Sequence, residues 1–340
     1  MFLKMQMMDK VLVMGCGTWG SALAQSLSVN GKRVVMWHYD ETKLLEFNNT
    51  RRHPNLLNFK FDESIEFEYD IEESVKRSTI IVLAVPSSAI RGIIKDIKNH
   101  LNDSHIIVNT SKGLEENTFF TMSELISNEL NPDLRKIVTL YGPSHAEEVA
   151  TNQPTTLVSA CSDTNIGKKV QSVFSSENLR VYTNKDIKGV ELGGSLKNII
   201  AIAIGICDGL GFGDNTKAAL ITRGMAEITR LGIKMGAHES TFSGLSGIGD
   251  LIATCLSKHS RNRFVGESIG SGKSLEEILQ SMDMVAEGVL TAKTINDLSN
   301  KYNVDMPISN AVNQVLFHDV DPKKFVTGLM SRDLINESDN

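Results

Sequence analysis

The chain has 340 residues, of which 41% are hydrophobic and 22% are charged, and its formal net charge is −6. This length favours two domains over one and is ample for a sizeable core. The mildly acidic balance argues against a nucleic-acid partner, because nucleic acids select basic surfaces. The four cysteines lack the spacing of a zinc site or a disulfide framework, so no metal site is expected: they are Cys16, Cys161, Cys207 and Cys255.

Two further patterns bear on location. The opening stretch MFLKMQMMDK lacks the apolar segment of a signal peptide. The longest apolar run, IIAIAIGI at 199–206, is shorter than a membrane span. We therefore expect no membrane segment and a cytoplasmic location.

The first predicted strand, residues 11–14, leads directly into GCGTWG and then into a segment with helical periodicity. A second strand at 33–37 completes a strand–helix–strand unit. In such a unit Gly15 permits the tight turn, Gly17 admits a pyrophosphate to the backbone, and Gly20 lets the helix pack closely on the strand. The pattern predicts a dinucleotide site.

Strand and helix signals then alternate, which predicts a doubly wound α/β sheet of the Rossmann type. The further strands are predicted within 79–88, 105–115, 136–150 (a strand that runs into a helix), 155–160 and 178–183. Ligands of such sheets bind beyond the carboxyl ends of the strands. Lys112, Gly142 and Ser144 follow strands in this way, which makes them candidate ligand-binding residues.

The segment WHYD at the end of the second strand should select between NAD and NADP. It contains no arginine for a 2′-phosphate, and Asp40 comes two or three residues late for a ribose carboxylate. His38 and Tyr39 are placed to line the adenosine. The cofactor is therefore expected to be NAD(H) or NADP(H), with the preference open.

From about Lys188 the strand signal disappears, so we place the domain boundary between 187 and 188. Residues 1–187 should form the dinucleotide-binding domain, and residues 188–340 an all-helical domain for substrate and catalysis. The predicted helices are 190–207, 215–235, 249–256, 261–270, 274–281, 286–301 and 308–317.

Lys197 stands in the most apolar of these helices, where lysine is rarely buried without a partner. Several small residues share its face, including Gly193, Gly194 and Gly205, which suggests that a ligand or another backbone occupies the space. A desolvated lysine has a lowered pKa and can act as an acid or base near neutral pH. The alternative is close helix packing with Lys197 extended to the surface.

Two neighbouring segments fit around such a lysine. Asp250 begins a helix after a glycine-rich loop, where it could cap the helix or bind a substrate hydroxyl. Ser260, Arg261 and Asn262 begin another helix, and a serine cap beside an arginine suits a phosphate. The alternative for this triplet is a surface cap with a solvated arginine.

The segment GGSLKNIIAIAIGICDGLGFGDN (193–215) resembles the signature of the bacterial-type NAD(P)-dependent glycerol-3-phosphate dehydrogenases, and the resemblance covers essentially the whole chain. Small departures are Ser195, where the family usually has Ala or Thr, and HYD at 38–40. The other matching segments, in the family's order, are GCGTWGSALA (15–24), VPS (85–87), SKGLE (111–115), GPSHAEEV (142–149), GDL (249–251), HSRNR (259–263) and VAEG (285–288).

This resemblance implies interconversion of sn-glycerol 3-phosphate and dihydroxyacetone phosphate, supplying glycerol 3-phosphate for phospholipids. It implies that Lys197 accepts or donates the proton. The substrate would be lined by Lys112, Gly142, Ser144, Lys197, Asp250, Ser260, Arg261 and Asn262. The dinucleotide would be held by Gly15, Gly17, Thr18, Trp19, Gly20, His38, Tyr39, Lys112, Ala146, Arg261, Val285 and Glu287. Ala146, Val285 and Glu287 are expected from the resemblance alone.

Two other functions fit parts of the pattern. One is another two-domain NAD(P)-dependent dehydrogenase, acting on a hydroxy acid or keto acid, since Ser260–Asn262 could hold a carboxylate. The other is an NAD(P)H-binding sensor without activity, which would have no need of Lys197. The oligomeric state is open, with a homodimer as the candidate.

Overall fold

The computed structural model describes residues 9–130, 136–282, 285–334 and 336. Residues 1–8, most of the opening stretch in which no signal peptide is expected, lie outside this range. The chain divides into two compact units. The first comprises Met1–Ser111, Met122–Leu140 and Ser144–Ile187, and the second comprises Lys112–Thr121, Tyr141–Pro143 and Lys188–Asn340.

The first unit is built on an eight-stranded sheet in the order β3-β2-β1-β4-β5-β6-β7-β8. The strands are β1 (Lys10–Met14), β2 (Arg33–Trp37), β3 (Glu66–Glu68), β4 (Ile80–Leu83), β5 (Ile106–Asn109), β6 (Ile137–Tyr141), β7 (Thr155–Ala160) and β8 (Leu179–Asn184). The pairs of β1 with β2 and with β4 are both parallel, so the winding reverses at β1. Ligands of doubly wound sheets bind at this point. The predicted Rossmann-type architecture is confirmed.

Among the described residues, seven α-helices accompany the sheet: α1 (Thr18–Val29), α2 (Glu41–Thr50), α3 (Ile71–Lys76), α4 (Ile90–Ile97), α5 (Met122–Glu129), α6 (Ala146–Ala150) and α7 (Thr164–Phe174). The central strands are buried along their whole length, as in Ile80–Leu83. Strands covered on both faces read as continuous apolar runs, which is why the sequence revealed them. The short edge strand β3 has the sequence EFE and gave no such signal.

The second unit is helical, and no strand follows β8 among the described residues. Its helices are α8 (Ile187–Gly209), α9 (Asp214–Lys234), α10 (Glu239–Phe242), α11 (Asp250–Leu256), α12 (Arg261–Gly270), α13 (Leu275–Gln280), α14 (Glu287–Tyr302), α15 (Pro307–Phe317) and α16 (Pro322–Met330). The short α10 and the last helix, α16, were not predicted. A π-helical turn at Leu245–Gly249 leads into α11.

Helix α8 is the central helix of the second unit's core. It is long and apolar enough to cross a membrane, which the shorter run at 199–206 did not suggest. Its most apolar window is nevertheless entirely buried inside the protein. Residues such as Ile199, Ile202 and Ile206 belong to one hydrophobic cluster with residues of the later helices.

Glycines let α8 and α12 touch backbone to backbone. A Cβ on Gly205 would overlap the carbonyl oxygen of Arg263, and one on Gly266 would overlap that of Ile202. The sequence left open whether a ligand or a backbone fills the space beside Gly205, and the structure shows a backbone. The crossing of these helices therefore requires glycine at both positions.

Replacing Gly205 with alanine should destabilise the fold by about 1–3 kcal/mol, because the added methyl group forces the two backbones apart. Gly328→Ala in α16 is the matched control, since a Cβ there meets no atom within 4 Å. That control should be neutral or stabilise by up to about 1 kcal/mol, because alanine favours helix. Urea unfolding of both variants tests this, and equal midpoints would contradict the packing account.

Candidate active site

Lys197 is buried in the second unit, with only 3% of its surface exposed. Its Nζ donates to Asp250 Oδ1 and to Thr254 Oγ1, and it lies 3.3 Å from the backbone oxygen of Asp250. The alternative in which Lys197 extends to the surface is therefore wrong. The helix face that carries Lys197 is enclosed, so the ammonium group depends on these partners.

Asp250 is the acidic partner of two lysines. Its Oδ1 accepts from Lys197, and its Oδ2 lies 2.7 Å from the Nζ of Lys112. It is the first residue of α11, and no side chain caps that helix, so the simple capping role considered for Asp250 is wrong. The π-helical turn before it delivers the carboxylate inward, where 1% of the residue is exposed. Such turns recur at functional sites.

Lys112 enters the same group from the chain that follows β5. Its Nζ donates to the carbonyl oxygen of Gly142 at 3.2 Å and lies 5.5 Å from the ring centre of Tyr141. The side chain keeps 21% of its surface exposed, unlike that of Lys197. A Cβ on Gly194 would overlap the Tyr141 ring, which accounts for that glycine in α8.

We call Lys112, Lys197, Asp250 and Thr254 the lysine–aspartate cluster. Burial lowers the pKa of Lys197 from 10.5 to about 7, with Lys112 adding to the effect and Asp250 opposing it. A group that titrates near neutral pH can give and take protons with little driving-force penalty. Because Asp250 also fixes the position of its Nζ, Lys197 is suited to general acid–base chemistry.

Thr254 and Asn198 were missed by the sequence analysis. Thr254 lies four residues after Asp250, hence on the same face of α11, and this spacing was the available signal. Asn198 follows Lys197, and its Oδ1 accepts from Asn262 Nδ2 at 3.0 Å. Asn262 Oδ1 in turn accepts from the backbone N–H of Gly288 at 2.9 Å. These bonds tie α8, α12 and α14 together beside Lys197.

The predicted anion site is at the start of α12. The Oγ of Ser260 accepts from the backbone N–H of Arg263 at 3.2 Å, so Ser260 caps the helix as expected. The guanidinium of Arg261 donates to the backbone oxygen of Val285 at 2.9 Å. This bond joins two sequence-predicted residues, and Glu287 follows closely as the first residue of α14.

The turn between β1 and α1 has the geometry that a dinucleotide needs. Gly15 has φ +109°, and a Cβ on it would overlap the carbonyl oxygen of Ala84. A Cβ on Gly20 would overlap the carbonyl oxygen of Gly15. Gly17 is the N-cap of α1, so no side chain caps this helix. A Cβ on Gly17 would meet no atom within 4 Å. Open space at a helix N-terminus with donating N–H groups suits a pyrophosphate.

The remaining predicted residues of the first unit lie on neighbouring segments. Thr18 and Trp19 are the first two residues of α1, Ala146 is the first residue of α6, and Ser144 lies two residues before Ala146. The His38 and Tyr39 rings stack with centres 4.5 Å apart. Asp40 Oδ1 accepts from the N–H of Lys43 at 3.2 Å, so this carboxylate caps α2.

The described residues contain no group of three or more His, Cys, Asp or Glu side chains placed to hold a metal ion. All four cysteines are free and buried. Burial raises the pKa of Cys255 to about 12, although the positive charge of Lys197 opposes this effect. A thiol with so high a pKa stays protonated at neutral pH and is a poor nucleophile.

Two family models match nearly the whole of this chain. Residues 10–167 match the model for the NAD-dependent glycerol-3-phosphate dehydrogenase N-terminus, and residues 186–327 match the model for its C-terminus. A glycerol-3-phosphate dehydrogenase (NAD(P)+) of Bacillus subtilis is 46% identical, with 98% of this chain and 99% of the relative covered. One of Lactobacillus delbrueckii subsp. bulgaricus is 48% identical, with 97% and 99% covered.

A solved structure shows the same fold. The crystal structure of glycerol-3-phosphate dehydrogenase from Coxiella burnetii has a TM-score of 0.90 and 34% sequence identity to this chain. The match covers 96% of this chain and 99% of that chain. From the two family models and these relatives, the chain belongs to the NAD-dependent glycerol-3-phosphate dehydrogenase family.

Proposed function

We propose that this chain interconverts sn-glycerol 3-phosphate and dihydroxyacetone phosphate with NAD(H) or NADP(H). The reaction would take place in the cytoplasm and supply glycerol 3-phosphate for phospholipid synthesis. The observation that carries the proposal is the buried Lys197, whose Nζ donates to Asp250 and whose pKa is lowered to about 7 by burial. A secondary alcohol and a ketone differ by a hydride and a proton, and Lys197 moves the proton.

Most of the proposed dinucleotide-binding residues, with the Gly15–Gly20 turn, belong to the first unit, and the dinucleotide when bound would accept or supply the hydride. Most of the proposed substrate-binding residues belong to the second unit. A homodimer remains the candidate oligomeric state.

In the oxidation direction the neutral amine of Lys197 removes the proton of the C2 hydroxyl. In the reduction direction its ammonium form protonates the developing alkoxide. Asp250 keeps the Nζ in place and raises its pKa against the effect of burial, so both protonation states are accessible near pH 7. The same Nζ also donates a hydrogen bond to Thr254 Oγ1, which further restricts its position.

Other residues of the second unit bind the substrate. Lys112 adds positive charge next to Lys197, which favours a phosphorylated, anionic substrate. The start of α12 offers N–H groups with Arg261 beside them, and we assign the substrate phosphate to this site. Asn262, held by Asn198 and Gly288, is fixed in orientation before substrate arrives.

Lys197→Ala should lower turnover by about 10²–10⁴-fold, the usual range for loss of a general acid–base group. The measurement is oxidation of NADH and NADPH with dihydroxyacetone phosphate. Lys293→Ala is the control, because Lys293 is an exposed lysine whose Nζ lies 2.7 Å from Glu116 Oε1. It should keep normal turnover. Normal turnover in Lys197→Ala would rule out the role of Lys197.

The two reaction directions should depend on pH in opposite ways. Oxidation needs neutral Lys197, so its kcat/KM should fall as the pH drops below about 7. Reduction needs the ammonium form, so its kcat/KM should fall as the pH rises above about 7. Asp250→Asn removes a group that raises the pKa of Lys197, so its reduction profile should move to lower pH. An unmoved profile would contradict this coupling.

The start of α12 should favour a phosphorylated substrate over its unphosphorylated counterpart. Arg261→Ala should raise the KM for dihydroxyacetone phosphate about tenfold or more, because a charge-assisted hydrogen bond is lost. Its effect on unphosphorylated dihydroxyacetone should be small. Arg332→Ala serves as control, since Arg332 is an exposed arginine paired with Asp305 at 2.5 Å. Equal losses with both substrates would place the phosphate elsewhere, and turnover of keto acids alone would point to a different dehydrogenase.

A further inference from the structure

A buried histidine, His53, contacts the backbone of the Gly15–Gly20 turn in the first unit. His53, in the segment between α2 and β3, is 5% exposed, and its ring packs 5.3 Å from that of Phe47. Its Nε2 lies 3.1 Å from the backbone oxygen of Cys16, and its Nδ1 accepts from the backbone N–H of Asn55 at 3.1 Å. Cys16 is the residue between Gly15 and Gly17.

These two bonds fix the tautomer of His53. A backbone N–H can only donate, so Nδ1 must be the unprotonated acceptor and Nε2 must carry the proton. Nε2–H therefore donates to the Cys16 oxygen. Burial lowers the pKa of His53; the hydrogen bond to Cys16 opposes this effect, and Lys43 adds to it. The net lowering favours the neutral ring that the two hydrogen bonds require.

The anchored carbonyl fixes the orientation of the next N–H group. The Cys16–Gly17 peptide is planar and trans, so its C=O and its N–H point in opposite directions. Holding the Cys16 oxygen against His53 turns the Gly17 N–H to the other side of the turn. Gly17 is also the residue whose absent side chain leaves open space at the start of α1.

We propose that His53 is a positioning residue for the dinucleotide: it orients the Gly17 N–H toward the pyrophosphate. This inference rests on the dinucleotide binding of the proposed function. A hydrogen-bond donor that is aligned beforehand spends no binding free energy on ordering. No segment of the GCGTWG motif indicates such support, because His53 lies far along the chain from the turn.

The first unit contains a matched control. His105 is 4% exposed, its Nδ1 accepts from the backbone N–H of Asn102 at 2.9 Å, and its Nε2 lies 3.2 Å from the backbone oxygen of Val75. It therefore repeats the burial, tautomer and bonding of His53. Its carbonyl partner belongs to α3 instead of the glycine turn.

The test measures binding of NADH and NADPH to the purified full chain by fluorescence, for wild type, His53→Phe, His53→Asn and His105→Phe. Phenylalanine keeps the ring against Phe47 and removes the donor, whereas asparagine keeps a donor. We expect His53→Phe to raise the Kd about tenfold, the order of one lost hydrogen bond, and His53→Asn to restore most of the affinity. His105→Phe should bind like wild type despite a similar loss of thermal stability.

A second measurement separates positioning from general damage. Competition with ADP and with adenosine should show that His53→Phe weakens the diphosphate ligand and leaves adenosine unchanged. In wild type, ¹⁵N spectra should show His53 as the neutral Nε2–H tautomer with a resonance that shifts on addition of ADP. This spectrum tests the inference even where a variant does not fold.

Three results would overturn the inference: wild-type affinity in folded His53→Phe, equal losses in His105→Phe, or an unshifted His53 resonance with bound ADP. Failure of the proposed function is distinguishable from these. In that case the wild-type chain itself would bind neither NADH nor NADPH.

Discussion

Burial of a lysine amine against one carboxylate is the constraint on which the second unit depends. Lys197 has almost no contact with solvent, and Asp250 forms ion pairs with both Lys197 and Lys112. Burial of a charge costs free energy unless partners compensate. The unfolded chain keeps a proton on this lysine up to about pH 10.5, whereas the folded chain releases it near 7. The free-energy cost that burial of Lys197 adds to folding is therefore largest below pH 7 and diminishes as the pH rises toward 10.5.

The surrounding architecture provides the burial and the partners together. Helix α8 is apolar enough to lie at the centre of the unit, and glycines such as Gly205 let α12 approach its backbone. That approach brings Asn262 within hydrogen-bond distance of Asn198, next to Lys197. The π-helical turn before α11 brings Asp250 to the lysine. Features that cost stability locally, glycines within helices and a buried ion pair, thus serve the same site.

Much of this could be predicted from the sequence. The strands were recognisable because buried parallel strands are continuously apolar. Lys197 was recognisable because a charged residue is exceptional in a helix as apolar as α8. The role of Asp250 was ambiguous, because helix capping and pairing with lysines require the same residue type at a helix start. Thr254 went unnoticed although its spacing from Asp250 places both side chains on one face of α11, because a threonine within a helix is common and its contact with Lys197 comes from another segment. His53 went unnoticed because a histidine in an irregular segment forms no periodic pattern, and its contact with Cys16 joins distant parts of the chain.

The most direct test of the central claim is the titration of Lys197 itself. NMR spectra of the chain with ¹³C-labelled lysine side chains, with Lys197→Arg to assign the resonance, would follow its Cε shift with pH. We expect one lysine that titrates near pH 7, and we expect that transition to be absent from Lys197→Arg. A Lys197 resonance that titrates near 10.5, as ordinary lysines do, would contradict the account.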